Sequence, residues 1–189
     1  MLSTEQRIQS KQQLKDWLEY ELRNYSKPKF EFLQLTEPAI LRHFHKMLRK
    51  AEYHRNTGNK VLAKWYYVRL LKMEYRYGLH ISLNTCAKGL RIMHIGSVII
   101  NNSATVGEDC TFYPNTAVVA GGTKVGAPTL KRGVTLGIGA VVLGNITVAE
   151  YVAVGANAVV NKDVAESNIS VAGVPAKKIS NNNSVEWTK

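Results

Sequence analysis

The chain has 189 residues, 45% of them hydrophobic, which suits one or two small globular units and excludes a disordered chain. Its formal charge is +11, and residues 1–77 hold 16 of the 25 Lys and Arg against 8 of the 14 Asp and Glu, so the basic excess belongs mainly to the front part. No run of about 18 apolar residues and no apolar leader core is present, so neither a membrane span nor an export signal is expected, and a cytoplasmic location follows.

Residues 4 to about 25 read as a helix, with Trp17, Leu18, Leu22 and Tyr25 at helical spacing, broken by Ser26-Lys27-Pro28-Lys29. A second helix starts after Thr36, with Glu37 and Pro38 in its first turn, and stops near Thr57-Gly58-Asn59. A third spans about Lys60 to Tyr75, and its apolar residues exceed one stripe, which predicts packing on two sides, against the other helices and the first solenoid coil. Gly78 ends it. This gives an α-helical domain over residues 1–77.

From residue 78 the composition turns to Val, Ile, Ala, Gly and Asn, and a six-residue beat begins. Apolar residues recur at Ile100, Val106, Phe112 and Val118, then at Leu136, Val142, Val148, Val154 and Val160. A helix repeats at 3.6 residues and a strand at 2.0, so neither explains the beat. A triangular solenoid does, with one short strand and one corner per repeat. The expected fold is mainly β with an α-helical N-terminal part, a parallel β-helix over residues 78–180, and a loose polar tail over 181–189. The beat falters between Val119 and Leu130, where Lys124 takes an inward position that an unpaired charge would not occupy, so this stretch reads as a loop leaving the coil. Because 118 to 136 is 18 residues, the beat is expected to return one full coil later. Cys86 and Cys110 form no Cys-x-x-Cys pair, and Cys110 sits at an inward repeat position, so packed thiols are expected.

Three stretches carry a family resemblance: Gly89-Leu90-Arg91-Ile92-Met93-His94-Ile95-Gly96, Gly137-Ile138-Gly139-Ala140-Val141-Val142-Leu143-Gly144-Asn145-Ile146, and Ala172-Gly173-Val174-Pro175-Ala176-Lys177. With the repeat, these resemble the hexapeptide-repeat acyltransferases, in the group of the serine acetyltransferases and capsular polysaccharide O-acetyltransferases. The resemblance implies a left-handed β-helix, an acetyl-CoA donor, a hydroxyl acceptor and a homotrimer whose active sites are shared between neighbours.

His94 counts as a beat position, six residues before Ile100, where an imidazole breaks the aliphatic rule. By spacing alone an inert, hydrogen-bonded corner histidine is the preferred reading. The resemblance aligns His94 with the family's general base, a role suited to a side chain that titrates near neutrality. In the serine acetyltransferases an Asp 15 residues earlier orients that base; here the position is Leu79, or His80 with a one-residue gap, and no acid occurs between Glu74 and Glu108. A backbone carbonyl, a group of a neighbouring subunit, or nothing at all is left to orient His94. His80 and Met93 are candidate substrate contacts. Serine acetyltransferases carry an Asp before the base and an Arg-His pair in the later loop, whereas the matching residues here are Met93, Gly126 and Ala127. A saccharide hydroxyl is therefore the preferred acceptor, as in surface-polysaccharide biosynthesis, with serine as the alternative. For coenzyme A, the resemblance points to Gly121 and Gly122 near the thioester, to the small-residue turns at Gly139, Ala140 and Ala158, and to Lys177 and Lys178 for the phosphates.

Two rival classes are weighed against this. A β-helix carbonic anhydrase needs three histidines around zinc, and the solenoid region offers only His80 and His94, so no metal is expected. A non-catalytic basic scaffold would bind polyanions, but no interleaving of aromatic and basic residues points to nucleic acid. Neither a nucleic-acid partner nor membrane insertion is expected.

Overall fold

Short strands of two to four residues stack in register on strands one coil away, and three walls result. The computed structural model describes residues 1–121 and 125–187. One wall holds residues 79–81, 98–100, 116–119, 141–143 and 159–160; a second holds 105–106, 129–130 and 147–148. The third holds 91–92, 111–112, 135–136, 153–154, 170–172 and 177–180. Pairing is parallel throughout except for the last hairpin, 170–172 with 177–180, which turns back and closes that end of the prism. Val98, Ala104, Cys110, Val118, Val134, Leu136, Ala140, Val142, Val148, Val154 and Ala158 all face inward and are buried. Their β-branched and small side chains fill a core too narrow for larger groups. Both cysteines are free and buried, and burial pushes the Cys86 thiol up to about 12.

The corners need left-handed backbone. Gly139 (φ +73°) and Asn157 (φ +55°) supply it on successive coils of one edge, and a Cβ on Gly139 would lie 2.1 Å from the Asn157 side-chain oxygen.

Coil length is not uniform. Val142 pairs with Val160, an 18-residue coil, but Val118 pairs with Val142, 24 residues on. The expected stacking of 118 over 136 is therefore wrong: Leu136 lies on another wall, over Phe112. The extra six residues are the excursion after Val119, and because six is one repeat, the inward phase survives. Lys124 and Gly122 fall outside the described residues; Val125 beside them is 99% exposed.

The front part also departs from the expected pattern. Residues 4–25 are not one helix. A single 3₁₀ turn at Thr4–Gln6 precedes α1, Lys11–Leu22, which starts where the Ser10 side chain accepts the Gln13 N–H. Leu2 and Ile8 are buried instead as part of the core. Helix α2 runs Glu37–Asn56 and α3 runs Lys60–Tyr77, with Gly78 in left-handed conformation at its end. Helix α3 packs one face on α2 and on residues 79–81. Helix α2 and the first coil are thus the two partners expected of it, while Val61, Trp65, Val68 and Tyr75 stay exposed. The helices and the first coil share one continuous core, from Phe44, Leu48 and Leu70 to Leu79 and Ile81. The polar tail is not loose over its described part. Ser184–Trp187 forms a short helix, α4, and the buried Ser184 donates to the Gly133 carbonyl at 2.5 Å.

Candidate active site

The corner that carries His94 is longer than those stacked on it. From Phe112 to Val118 is six residues, as from Leu136 to Val142, but the inward positions flanking His94 are Ile92 and Ile100, eight apart. Counting back six from Ile100 therefore lands on a corner, and Ile92 takes the core position. The two additional residues push His94 outward, and 59% of its side-chain surface is exposed.

The carboxylate missing from the solenoid comes from a helix. Glu37, the first residue of α2, places Oε2 at 3.2 Å from His94 Nδ1, and its Oε1 accepts the Ile95 N–H at 2.6 Å. Burial works against ionisation of Glu37, but the Ile95 N–H and His94 outweigh it and hold the carboxyl below its usual range. None of the sources considered from the sequence is the one observed. Glu37 lies 57 residues from His94, and its place in a first helical turn is fully explained by the helix dipole, so nothing local marks it as a partner.

A second clamp fixes the strand before His94. The buried Tyr25 hydroxyl donates to the Ile92 carbonyl at 3.0 Å and accepts the Ile92 N–H at 2.9 Å, while facing His45 Nε2 at 3.0 Å. His45 Nδ1 in turn meets Glu21 at 3.1 Å, fully buried. Arg49 of α2 donates to Glu21, Glu52 and the carbonyls of Cys86 and Ala87, bolting α2 to the first coil.

Other site candidates sort by edge. Corners 94–96, 113–115, 137–139 and 155–157 all join the third wall to the first, so they form one edge, and the hairpin turn 173–176 extends it through hydrogen bonds with Val159. It is stitched by Gly139 N–H to the Pro114 carbonyl and by Asn157 N–H to the Ile138 carbonyl. His94, Gly139 and the approach to Lys177 share this edge. Ala140 and Ala158 sit beside it, but their side chains are buried in the core and their N–H groups donate to Gly137 and Gly155. Lys177 is exposed, whereas Lys178 reaches Glu166 at 2.5 Å. Gly121 belongs to the next edge, across the first wall, where it packs closely on Gly144. Met93 is half-buried, its N–H given to the Phe112 carbonyl.

His80 lies on the first wall, paired with Ile99 of the next coil. It lines a cavity of about 570 Å³ with Arg55, Tyr67 and Glu74, and its ring meets Tyr75 edge-on. Burial pushes the Glu74 carboxyl up to about 7, against the opposing Ile81 N–H. The folded value lies above the unfolded one, so the contribution of Glu74 to stability is complete below about pH 4.5 and lost as pH rises through about 7. Glu74→Gln is expected to raise the thermal midpoint by about 2–4 °C at pH 8 and to leave it unchanged at pH 4, read by circular dichroism.

Among the described residues, no group of three His, Cys, Asp or Glu is placed to hold a metal, and no helix is long and apolar enough to cross a membrane.

No protein-family model matches the chain. The serine acetyltransferase of Helicobacter pylori (strain J99) is 36% identical over 122 residues, covering 61% of this chain and 71% of that protein. The serine acetyltransferase of Buchnera aphidicola (subsp. Acyrthosiphon pisum) is 32% identical over 153 residues, 77% of this chain and 54% of that one. Matched regions span between 38% and 55% of the first four relatives, about half their length or less. The Brucella abortus serine acetyltransferase, solved in complex with coenzyme A, superposes with a TM-score of 0.65 at 21% identity, over 92% of this chain and 70% of that one. The shared fold is the left-handed parallel β-helix of the hexapeptide-repeat transferases.

Proposed function

The chain belongs to the serine acetyltransferase family of hexapeptide-repeat proteins, and from that premise we propose that it transfers an acetyl group from acetyl-CoA to a hydroxyl, with serine as the acceptor. The observation that carries this reading is His94: an exposed imidazole on a lengthened corner, with one ring nitrogen held by a carboxylate. A carboxylate only accepts, so Nδ1 carries the proton and Nε2 keeps its lone pair for a substrate. Nε2 takes the hydroxyl proton as the oxygen attacks the thioester carbonyl; the C–S bond then breaks and the proton passes to the departing sulfur. A backbone amide near Gly121 is the proposed oxyanion donor.

Gly121 and His94 lie on different edges of one prism. A site that uses both draws them from two chains, which supports a homotrimer with active sites at its seams. Gly139 and Lys177, on the His94 edge, mark the proposed path of the coenzyme A arm and phosphates.

The saccharide acceptor favoured from the sequence ranks behind serine. The matched relatives are serine acetyltransferases, and none supports a role in polysaccharide biosynthesis. One observation still favours a neutral acceptor: Met93, Gly126 and Ala127 offer no charge to an amino-acid zwitterion, and Ala127 is buried. The test is thiol release from acetyl-CoA with serine, free sugars and nucleotide sugars. Turnover with serine is expected; turnover confined to sugars overturns the acceptor, and none with any hydroxyl overturns the reaction.

A further inference from the structure

We propose that Glu37 is the positioning residue for His94, so that the helical front part completes an active site the solenoid cannot build alone. This rests on His94 being the base. The first coil and the His94 corner have no carboxylate of their own to offer, because residues 75–107 contain neither Asp nor Glu. Glu37 fills that gap from outside the coil and grips two points of the corner at once, the His94 ring and the Ile95 N–H.

The grip is set by rigid parts. Glu37 opens α2, and Pro38 behind it restricts the backbone there. Helix α2 is fixed to the first coil by Arg49, whose guanidinium donates to the Cys86 and Ala87 carbonyls. Tyr25 fixes the strand that leads into the corner. An exposed ion pair adds little to stability, and both partners are substantially exposed here, at 59% and 40%. What the contact controls is the tautomer and direction of the ring.

Glu37→Gln separates this role from a structural one. The glutamine oxygen can still accept the Ile95 N–H, so the corner stays held. Its NH₂ group then faces Nδ1, which must accept, and the ring proton moves to Nε2, where it blocks proton abstraction. In ¹⁵N spectra of histidine-labelled protein, His94, assigned by its loss in His94→Ala, is expected as the Nδ1–H tautomer and to switch to Nε2–H in Glu37→Gln. The kcat for thiol release is expected to fall roughly 10- to 100-fold, with KM for acetyl-CoA within about twofold. In the His94→Ala background, Glu37→Gln should change nothing further. Glu37→Gln at the wild-type rate, or with an unchanged His94 tautomer, overturns the proposal. A wild-type protein that turns over no acceptor overturns the proposed reaction instead; the spectra then decide the role of Glu37 on their own, supporting it if the tautomer switches and overturning it if not.

Discussion

His94→Ala is expected to lower the rate of the proposed acetyl transfer by roughly two to four orders of magnitude, the range a positioned general base contributes. Affinity for coenzyme A should stay within about twofold, because the proposed donor contacts lie on later coils of the edge and on the next edge, not on this ring. The fold should be unaffected: the imidazole is mostly exposed, and the core position on its coil is filled by Ile92. What remains in the variant is the rate from holding thioester and hydroxyl together, which does not need the imidazole. The measurement is steady-state thiol release at saturating acetyl-CoA, with coenzyme A affinity read separately by calorimetry. A full rate in His94→Ala removes the base and with it the proposed mechanism. Loss of both rate and coenzyme A binding would instead place His94 in the donor site.

The repeat was readable because a solenoid is nearly one-dimensional: each inward Val, Ile or Ala contacts its counterpart one coil away, so periodicity alone reports the fold. Where the periodicity breaks, reading by count fails. Ile92 and Ile100 are eight apart, so the count from Ile100 reached a corner and gave His94 a core position it does not hold. The 24-residue coil from Val118 to Val142 misled in the same way, since insertions of whole repeats leave the phase intact and hide the added length. Residues 4–25 looked helical because their apolar spacing is, yet Ser10 caps a helix that starts only at Lys11. The Glu37 partner of His94 could not be read from any window, because tertiary packing of α2 on the first coil brings it there. The same holds for the Tyr25 clamp on Ile92, 67 residues away.

Arg49→Met is expected to lower the unfolding free energy by about 3–5 kcal/mol, the cost of stranding buried charge when one partner is removed. All five guanidinium N–H groups of Arg49 are used. Nε and Nη2 hold the two oxygens of Glu21 at 3.1 and 2.7 Å. Nη1 holds Glu52 at 2.8 Å, and the remaining donors go to the Cys86 and Ala87 carbonyls at 2.9 and 3.0 Å. The Arg49 and Glu21 side chains are fully buried. Methionine fills much of the volume but leaves two carboxylates and two carbonyls without this donor, at the joint between the helices and the first coil. The loss is a large share of the roughly 5–15 kcal/mol that holds a domain folded. Its pH dependence identifies the cause. Burial alone would raise the Glu21 carboxyl, but Arg49 and His45 outweigh it and bring it down to about 2. The folded value is below the unfolded one, so this stabilisation is complete above about pH 4.5 and fades as pH falls toward 2. Burial pushes Glu52 the other way, against Arg49, so it too takes a proton readily once the guanidinium is gone. The gap between wild type and Arg49→Met should therefore be widest near pH 7 and narrow toward pH 3, in denaturant titrations at one fixed protein concentration. Glu21→Gln added to Arg49→Met should recover part of the loss near pH 7, since it removes one of the stranded charges. A gap that stays constant with pH would mean that lost packing, not uncompensated charge, sets the cost.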